Sequence, residues 1–319
     1  MKKAAFYTLG CKVNQYDTEA VKESFKKAGY EIVEFHEAAD VYVVNTCTVT
    51  HLSDRKCRQM LRKTKKLNAD SILVAMGCYA QIASDEIKEQ VEEIDIIVGT
   101  NHRNQIVEFV ENFEKYKQET LNTVEDIMTV DEFEELTIED MGERTRVYLK
   151  VQEGCNNYCT YCIIPYVRGK IRSRRPEQVI SEAKRLAGMG FKEIVLTGIH
   201  VASYGKDLGN TNLIELLRTV HEVSGIERIR MSSIEPVVVT DDFIEALKSL
   251  PKICRHFHLS LQSGSDTVLK RMNRKYTLSE YRASVEKLKA IWPDVAITTD
   301  IIVGFPGETD EEFNETMAF

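Results

Sequence analysis

"RVYLKVQEGCNNYCTYCIIP", residues 146–165, decides how the second half of this chain is read. It opens with alternating apolar residues that predict a strand, passes a glycine, and then sets Cys155, Cys159 and Cys162 on one short loop. Three thiolates at C-x3-C-x2-C spacing can hold three corners of a cubane iron–sulfur cluster, leaving the fourth iron open to a small molecule. A structural zinc site normally closes with four ligands. Here the first downstream histidine, His200, belongs to another loop. Outward from this loop, "KEIVLTG", "RIRMSSI", "HFHLSLQ" and "VAITTDIIVG" repeat the strand pattern, separated by helical stretches such as that from Pro176 to about Met189. Five β/α units in series predict a partial β/α barrel, with the cysteine loop at the carboxyl end of its first strand, where barrel active sites gather.

The first 113 residues alternate differently. "AAFYTLG", "DVYVVNTCTV", "SILVAMGC" and "IDIIVG" read as strands, with helices across roughly 15–28, over "HLSDRKCRQMLRKTKKL", after "YAQIAS" and from about Asn101. That alternation predicts an α/β, doubly wound parallel sheet. Cys11, Cys47 and Cys78 each fall at the end of a strand, in "YTLGC", "VVNTC" and "VAMGC". Ligands of open parallel sheets collect beyond the carboxyl ends of the strands, so thiols distant in sequence can converge there on a second cluster. Buried apolar packing is the competing account of a free cysteine. It fits Cys57, inside a helix, and Cys254, before a barrel strand, better than three cysteines in equivalent places.

Between the halves, residues 119–143 contain no Lys or Arg and many acidic residues. The expected organisation is therefore a domain over 1–113, an acidic linker over 114–145 with a short strand near 126–133, and the barrel over 146–319. With 319 residues, 43% hydrophobic and 29% charged, the chain has the composition of a globular enzyme. No apolar run approaches a membrane span and the N-terminus lacks a signal-peptide pattern, so no membrane association and a cytoplasmic location are expected. Eight cysteines in such a chain read as metal ligands or thiols rather than disulfides. A net charge of −8 opposes nonspecific nucleic-acid binding by the whole chain but leaves room for basic patches. One patch is Arg55, Lys56, Arg58, Arg62, Lys63, Lys65 and Lys66, which the solvated face of a helix would also explain. The other is Arg168, Lys170, Arg172, Arg174 and Arg175, which adjoins the cysteine loop and is the preferred RNA contact.

The C-x3-C-x-aromatic-C loop, with Tyr161 as the aromatic, resembles the radical S-adenosylmethionine (SAM) superfamily. With the N-terminal layout, the chain resembles the methylthiotransferase family. "TLGCKVNQYDTE", "VNTCTVT" and "VQEGCNNYCTYCIIPYVRGKIRSR" are most similar to the branch acting on N6-threonylcarbamoyladenosine in tRNA. The resemblance implies two 4Fe-4S clusters and two SAM molecules. One SAM methylates a sulfur held at the Cys11, Cys47 and Cys78 cluster. The other, at the Cys155, Cys159 and Cys162 cluster, yields a radical that takes hydrogen from C2 of the adenine. It also implies SAM contacts at Tyr161, Thr197, Gly198, Ser232, Glu235, Gln262, Ile302 and Gly304, and an electron donor of flavodoxin or ferredoxin type. Compared with that family, the barrel is expected to be truncated and to lack the C-terminal TRAM domain. The alternatives left open are a methylthiotransferase for isopentenyladenosine in tRNA or for a ribosomal protein side chain, and a non-catalytic metal-bound RNA-binding module.

Overall fold

A computed structural model describes residues 1–116, 119–138 and 146–319. It divides into two units: residues 1–116 and 119–138 with Ile163–Lys170, and residues 146–162 with 171–319.

The first unit is built on six parallel strands: β1 (Lys3–Thr8), β2 (Glu31–Val33), β3 (Val41–Thr46), β4 (Ile72–Gly77), β5 (Ile96–Val98) and β6 (Leu121–Asn122). Their order is β2-β1-β3-β4-β5-β6, so the direction of strand addition reverses at the β1/β3 junction. Side chains alternate strictly across this sheet. Ala4, Phe6, Val41, Val43, Val74, Met76, Ile96 and Val98 pack on one face with Val21, Phe25, Ile106 and Val110 of helices Lys12–Lys27 and Ile106–Tyr116. Ala5, Tyr42, Val44, Leu73, Ala75 and Ile97 take the other face with Cys57 and Leu61 of helix His51–Leu67. Period-two alternation with both sets apolar is what a doubly wound sheet requires.

Two boundaries differ from the sequence reading. The expected acidic linker over 114–145 lies partly outside the described residues, and its described stretch packs onto the first unit. Leu121–Asn122 extends the sheet, Leu136 and Ile138 are buried, and Tyr16 donates to the Leu136 carbonyl at 2.7 Å. In place of the expected strand near 126–133 there is a 3-10 turn, Ile127–Thr129. Scattered apolar residues anchor this acidic stretch, which a charge count does not register. Ile163–Lys170, placed by sequence in the barrel, joins the first unit instead. Val167 is buried there and its carbonyl accepts from Thr100 Oγ1 at 2.6 Å.

The second unit carries β7 (Arg146–Glu153), β8 (Arg172–Ser173), β9 (Glu193–Gly198), β10 (Arg228–Met231), β11 (His256–His258) and β12 (Ala296–Thr298). β7, β9 and β10 pair in parallel, as do β11 and β12. Parallel bridges Ile229–Ile253 and Ile234–Leu259 carry the curled sheet from β10 to β11. The five parallel strands of a partial β/α barrel result. The short β8, which no apolar pattern marks, lies antiparallel against β7.

Candidate cluster sites

In the first unit, Thr8 lies opposite Asn45 and Thr46 opposite Gly77, so β1, β3 and β4 deliver their following residues to one end of the sheet. Two glycines let those residues close up. At Gly10 (φ +111°) a Cβ would stand 3.1 Å from Cys47 Cβ and 3.2 Å from its sulfur, so the turn into Cys11 is pressed against Cys47. At Gly77 (φ +100°) a Cβ would meet Asn45 Oδ1 at 2.3 Å and the Thr46 carbonyl at 2.7 Å, which brings Cys78 beside the same turn. Asn14 Nδ2 ties the turns together by donating to the carbonyls of Leu9 at 2.8 Å and Thr46 at 3.0 Å. The sequence-predicted trio is thus brought together at the β1/β3 switch point, with Cys11 exposed and Cys47 and Cys78 buried.

Burial raises the Cys78 thiol above its usual pKa, Arg168 opposes this by charge and hydrogen bond, and the neighbouring Cys11 and Cys47 raise it further. Cys57 is different. Its sulfur accepts from the Cys47 N–H and donates to the Cys47 carbonyl, both at 3.3 Å, and burial pushes it to about 12. It holds the Cys47 turn as a neutral thiol.

In the second unit, Cys155, Cys159 and Cys162 sit on the loop leaving β7. Burial pushes the Cys155 thiol up to about 11, opposed by the Asn157 N–H at 3.5 Å and reinforced by Cys159 and Cys162. Arg274 Nη1 donates to Cys159 Sγ at 3.2 Å, and Arg274 Nη2 pairs with Glu235 at 2.9 Å. Glu235 also accepts from Asn157 at 2.9 Å and faces His200 Nε2 at 3.2 Å. Burial pushes its carboxyl up, but His200, Arg274 and Asn157 outweigh that and hold it below the ordinary range. Asn273 and Met272 bond the backbone of the cysteine loop at Tyr158 and Thr160, fixing its shape.

Among the described residues no group of three or more His, Cys, Asp or Glu closes tightly enough for a single metal ion. A cubane presents three separate iron corners, so its thiolates stand wider apart than the ligands of one ion. Each set also receives an N–H donor on a sulfur, from Arg168 on Cys78 and from Arg274 on Cys159, as metal-bound thiolates favour. Three thiols with an N–H on one sulfur are the donor chemistry that an iron–sulfur cluster takes.

The residues expected around SAM line the carboxyl ends of the barrel strands. Thr197 and Gly198 close β9. The Thr197 hydroxyl donates to the Val195 carbonyl, and a Cβ at Gly198 would meet the Gln152 carbonyl at 2.9 Å. Ser232 follows β10 with its hydroxyl buried and without a partner among the described residues. Gln262, at φ +70°, bonds through its carbonyl to the Ile302 N–H at 2.9 Å. The Gly304 N–H is capped by Glu308 at 2.5 Å. Tyr161 stands edge-on to Phe305, its hydroxyl pushed to about 12 by burial.

The basic run expected to meet RNA is mostly internal. Arg168, Arg172 and Arg174 are buried, Lys170 pairs with Asp131 at 3.5 Å, and only Lys170 and Arg175 of the five are exposed. In the other run, on helix His51–Leu67, most cations reach solvent. Arg55, Arg62, Lys63 and Lys66 line one groove with Arg58, whose guanidinium is held by Glu86 at 3.0 Å. Asn14, Asp17, Asn157, His200 and Arg274 were not singled out by sequence. Each has a partner that tertiary structure brings from far along the chain, so no spacing rule points to it.

The family model described as "Radical SAM superfamily" matches residues 149–319, and that described as "Uncharacterized protein family UPF0004" matches residues 3–99. A threonylcarbamoyladenosine tRNA methylthiotransferase of Bacillus subtilis is 49% identical, over 100% of this chain and 70% of its own length. A protein of the same name from Aquifex aeolicus is 43% identical, over 99% of this chain and 77% of its own. A tRNA-2-methylthio-N(6)-dimethylallyladenosine synthase of Clostridium botulinum is 40% identical, over 98% and 70%. Among solved structures, the cobalamin-dependent SAM radical enzyme OxsB matches at TM-score 0.68 and 11% identity, over 100% of this chain and 51% of that one. The radical SAM methyltransferase TsrM of Kitasatospora setae matches at TM-score 0.68 and 14% identity, over 99% and 72%. These distant structures share the fold. Among the described residues no helix is long and apolar enough to cross a membrane.

Proposed function

The chain belongs to the methylthiotransferase family of the radical SAM superfamily, and on that premise we propose that it places a methylthio group on C2 of N6-threonylcarbamoyladenosine in tRNA. The observation that carries the reading is the pair of three-thiol sets, each at the carboxyl ends of parallel strands and each receiving an N–H on one sulfur. The 49% identity to a relative named for that nucleoside supports the substrate. We take each set to hold a 4Fe-4S cluster. When bound, the Cys155, Cys159 and Cys162 cluster supplies an electron to SAM for hydrogen removal, and the other presents the sulfur that is methylated and transferred.

The chain's own residues bind, orient and exclude water. Glu235 fixes Arg274 and Asn157 on the cysteine loop, so the three thiols keep one geometry. The buried Ser232 hydroxyl is available to a polar group of SAM, beside Thr197, Gly198 and Glu235. The Ile302 and Gly304 N–H groups are held by Gln262 and Glu308. The carbonyls of Ile302 and Gly304 are therefore the backbone groups we take to meet SAM, and Tyr161 offers an aromatic wall. An aromatic C–H gives acid–base groups little to work on, which suits a site where the Glu235 carboxylate is consumed by Arg274 and Asn157. The tRNA adenine must leave its stack to be reached, as single-stranded loop bases can. The electron donor is of flavodoxin or ferredoxin type.

The 40% identity to a dimethylallyladenosine synthase favours a second reading, in which isopentenyladenosine is the acceptor. Mass spectrometry of tRNA nucleosides from cells with and without the gene decides between them. We expect loss of the methylthio form of threonylcarbamoyladenosine and accumulation of its precursor. Loss confined to the isopentenyl nucleoside transfers the assignment, and no change in either overturns both.

A further inference from the structure

We propose that Arg168 is a positioning residue for Cys78, aiming an N–H at its sulfur and so raising the reduction potential of a cluster held by Cys11, Cys47 and Cys78. This rests on the reading of those three cysteines as ligands.

Three edges of the Arg168 fork are engaged, and its side chain is fully buried. Nε donates to Cys78 Sγ at 3.2 Å, Nη1 to Asp17 Oδ2 at 2.9 Å and Nη2 to Asn14 Oδ1 at 2.5 Å. A planar guanidinium fixed at three points cannot swing away from the sulfur, which a lysine ammonium could. Asn14 is the side chain that bonds the backbone just before Cys11 and Cys47. Arg168 is therefore linked to all three turns, to one through its ligand sulfur and to two through Asn14.

The surrounding charges are arranged to keep this cation inside. Asp17 is shared with Arg103, whose Nε donates to Glu134 at 2.7 Å, and all four side chains are nearly or wholly buried. Asp17 thus lies between two guanidiniums, and Arg168 keeps its Nε–H on the sulfur. Its stabilisation comes from the Arg168 N–H and its field. Apolar side chains of similar volume would fill the same space without the desolvation cost of buried charges. What they could not supply is the N–H on Cys78. Donation to a ligand sulfur withdraws electron density, favours the reduced and more negative cluster, and so raises its potential. In sequence Arg168 is one of a basic run beside the Cys155, Cys159 and Cys162 loop. Its burial withdraws it from phosphate and gives it this other task.

The test uses the full chain with Cys155, Cys159 and Cys162 replaced by Ala, reconstituted anaerobically so that only the first set is loaded. Arg168→Met removes charge and N–H; Arg168→Lys keeps the charge without the fork. Iron and sulfide content, chemical denaturation and an EPR-monitored redox titration are read for each. We expect both variants to keep the about four irons of one cluster. We expect Arg168→Met to change the oxidised-to-reduced ratio at fixed poise by about tenfold toward oxidised, a fall of about 59 mV for one electron. Arg168→Lys falls less. Unchanged midpoints at full iron content overturn the proposal, as does loss of the cluster from both variants while the fold is intact. Should Arg168→Met not fold, Arg168→Lys decides on the same criteria. A parent protein that takes up no iron overturns the ligand reading itself, a result distinct from the failure of Arg168.

Discussion

At Gly77, two penalties that usually travel together can be separated. Its φ of +100° disfavours any L side chain, and a Cβ there would also overlap Asn45 Oδ1 and the Thr46 carbonyl. Gly29, at φ +86°, has nothing within 4 Å of the same position. Gly29→Ala is therefore expected to cost about 1 kcal/mol from backbone strain alone. Gly77→Ala is expected to cost at least about 2 kcal/mol more, because rigid backbone must move. It should also lower iron uptake at the first site, since the displaced residue is the neighbour of Cys78. Urea unfolding of the apo proteins and iron analysis after reconstitution check both. Equal destabilisation by the two substitutions would mean that the Gly77 turn has room to relax. Sequence marked Cys78 by its place after "VAMG", but it could not distinguish a glycine that merely turns from one that packs.

Among the elements, helix His51–Leu67 shows how a charge run acquires a role only through what surrounds it. The cations read from sequence as a solvated face include Arg55, Arg62, Lys63 and Lys66, which share one groove. Lys65, in the same run, is turned away to Asp95 at 3.0 Å. The run that looked better placed, from Arg168 to Arg175, is drawn largely into the interior. If tRNA phosphates are met by a basic surface, this helix offers one and the buried run does not. Replacing Arg55 and Lys63 by Glu is expected to weaken tRNA binding across sequences. Removing two phosphate contacts should reduce the salt slope of log K by about 2. Binding measured over a potassium chloride series checks this, and an unchanged slope removes the helix from the interface. Since both residues are exposed, unfolding free energy should move by less than about 0.5 kcal/mol.

For the whole molecule, each half of the chain carries a complete thiol set on its own unit, so the two should load separately. The reconstituted protein is expected to hold about eight irons, falling by about four when either set is replaced by Ala. Replacing Cys11, Cys47 and Cys78 should abolish methylthiolation yet leave reductive SAM cleavage, whereas replacing Cys155, Cys159 and Cys162 should abolish both. Iron analysis, and assay of 5′-deoxyadenosine beside the modified nucleoside, report these outcomes. Loss of SAM cleavage on replacing the first set would mean that the sites do not load independently.

By itself the sequence determined the long central strands, their parallel arrangement and the cysteines at their ends, but not the short strands Glu31–Val33, Leu121–Asn122 and Arg172–Ser173. What it determined follows from local alternation and from spacing within a few residues. Helix His51–Leu67 coincides with the stretch read as helix, because a 3.6-residue pattern extends over its whole length. Only the tertiary structure decided what surrounds the sulfurs. Arg168 reaches Cys78 across 90 positions, Asp17 across 151 and Asn14 across 154, and Arg274 reaches Cys159 across 115. It also decided that residues 119–138 pack rather than link, and that three arginines of a basic run lie inside. A charged side chain carries no mark in the sequence of whether it will meet water or a buried partner. That choice is made when distant segments close on one another and the cost of desolvation is either offset by pairing or not.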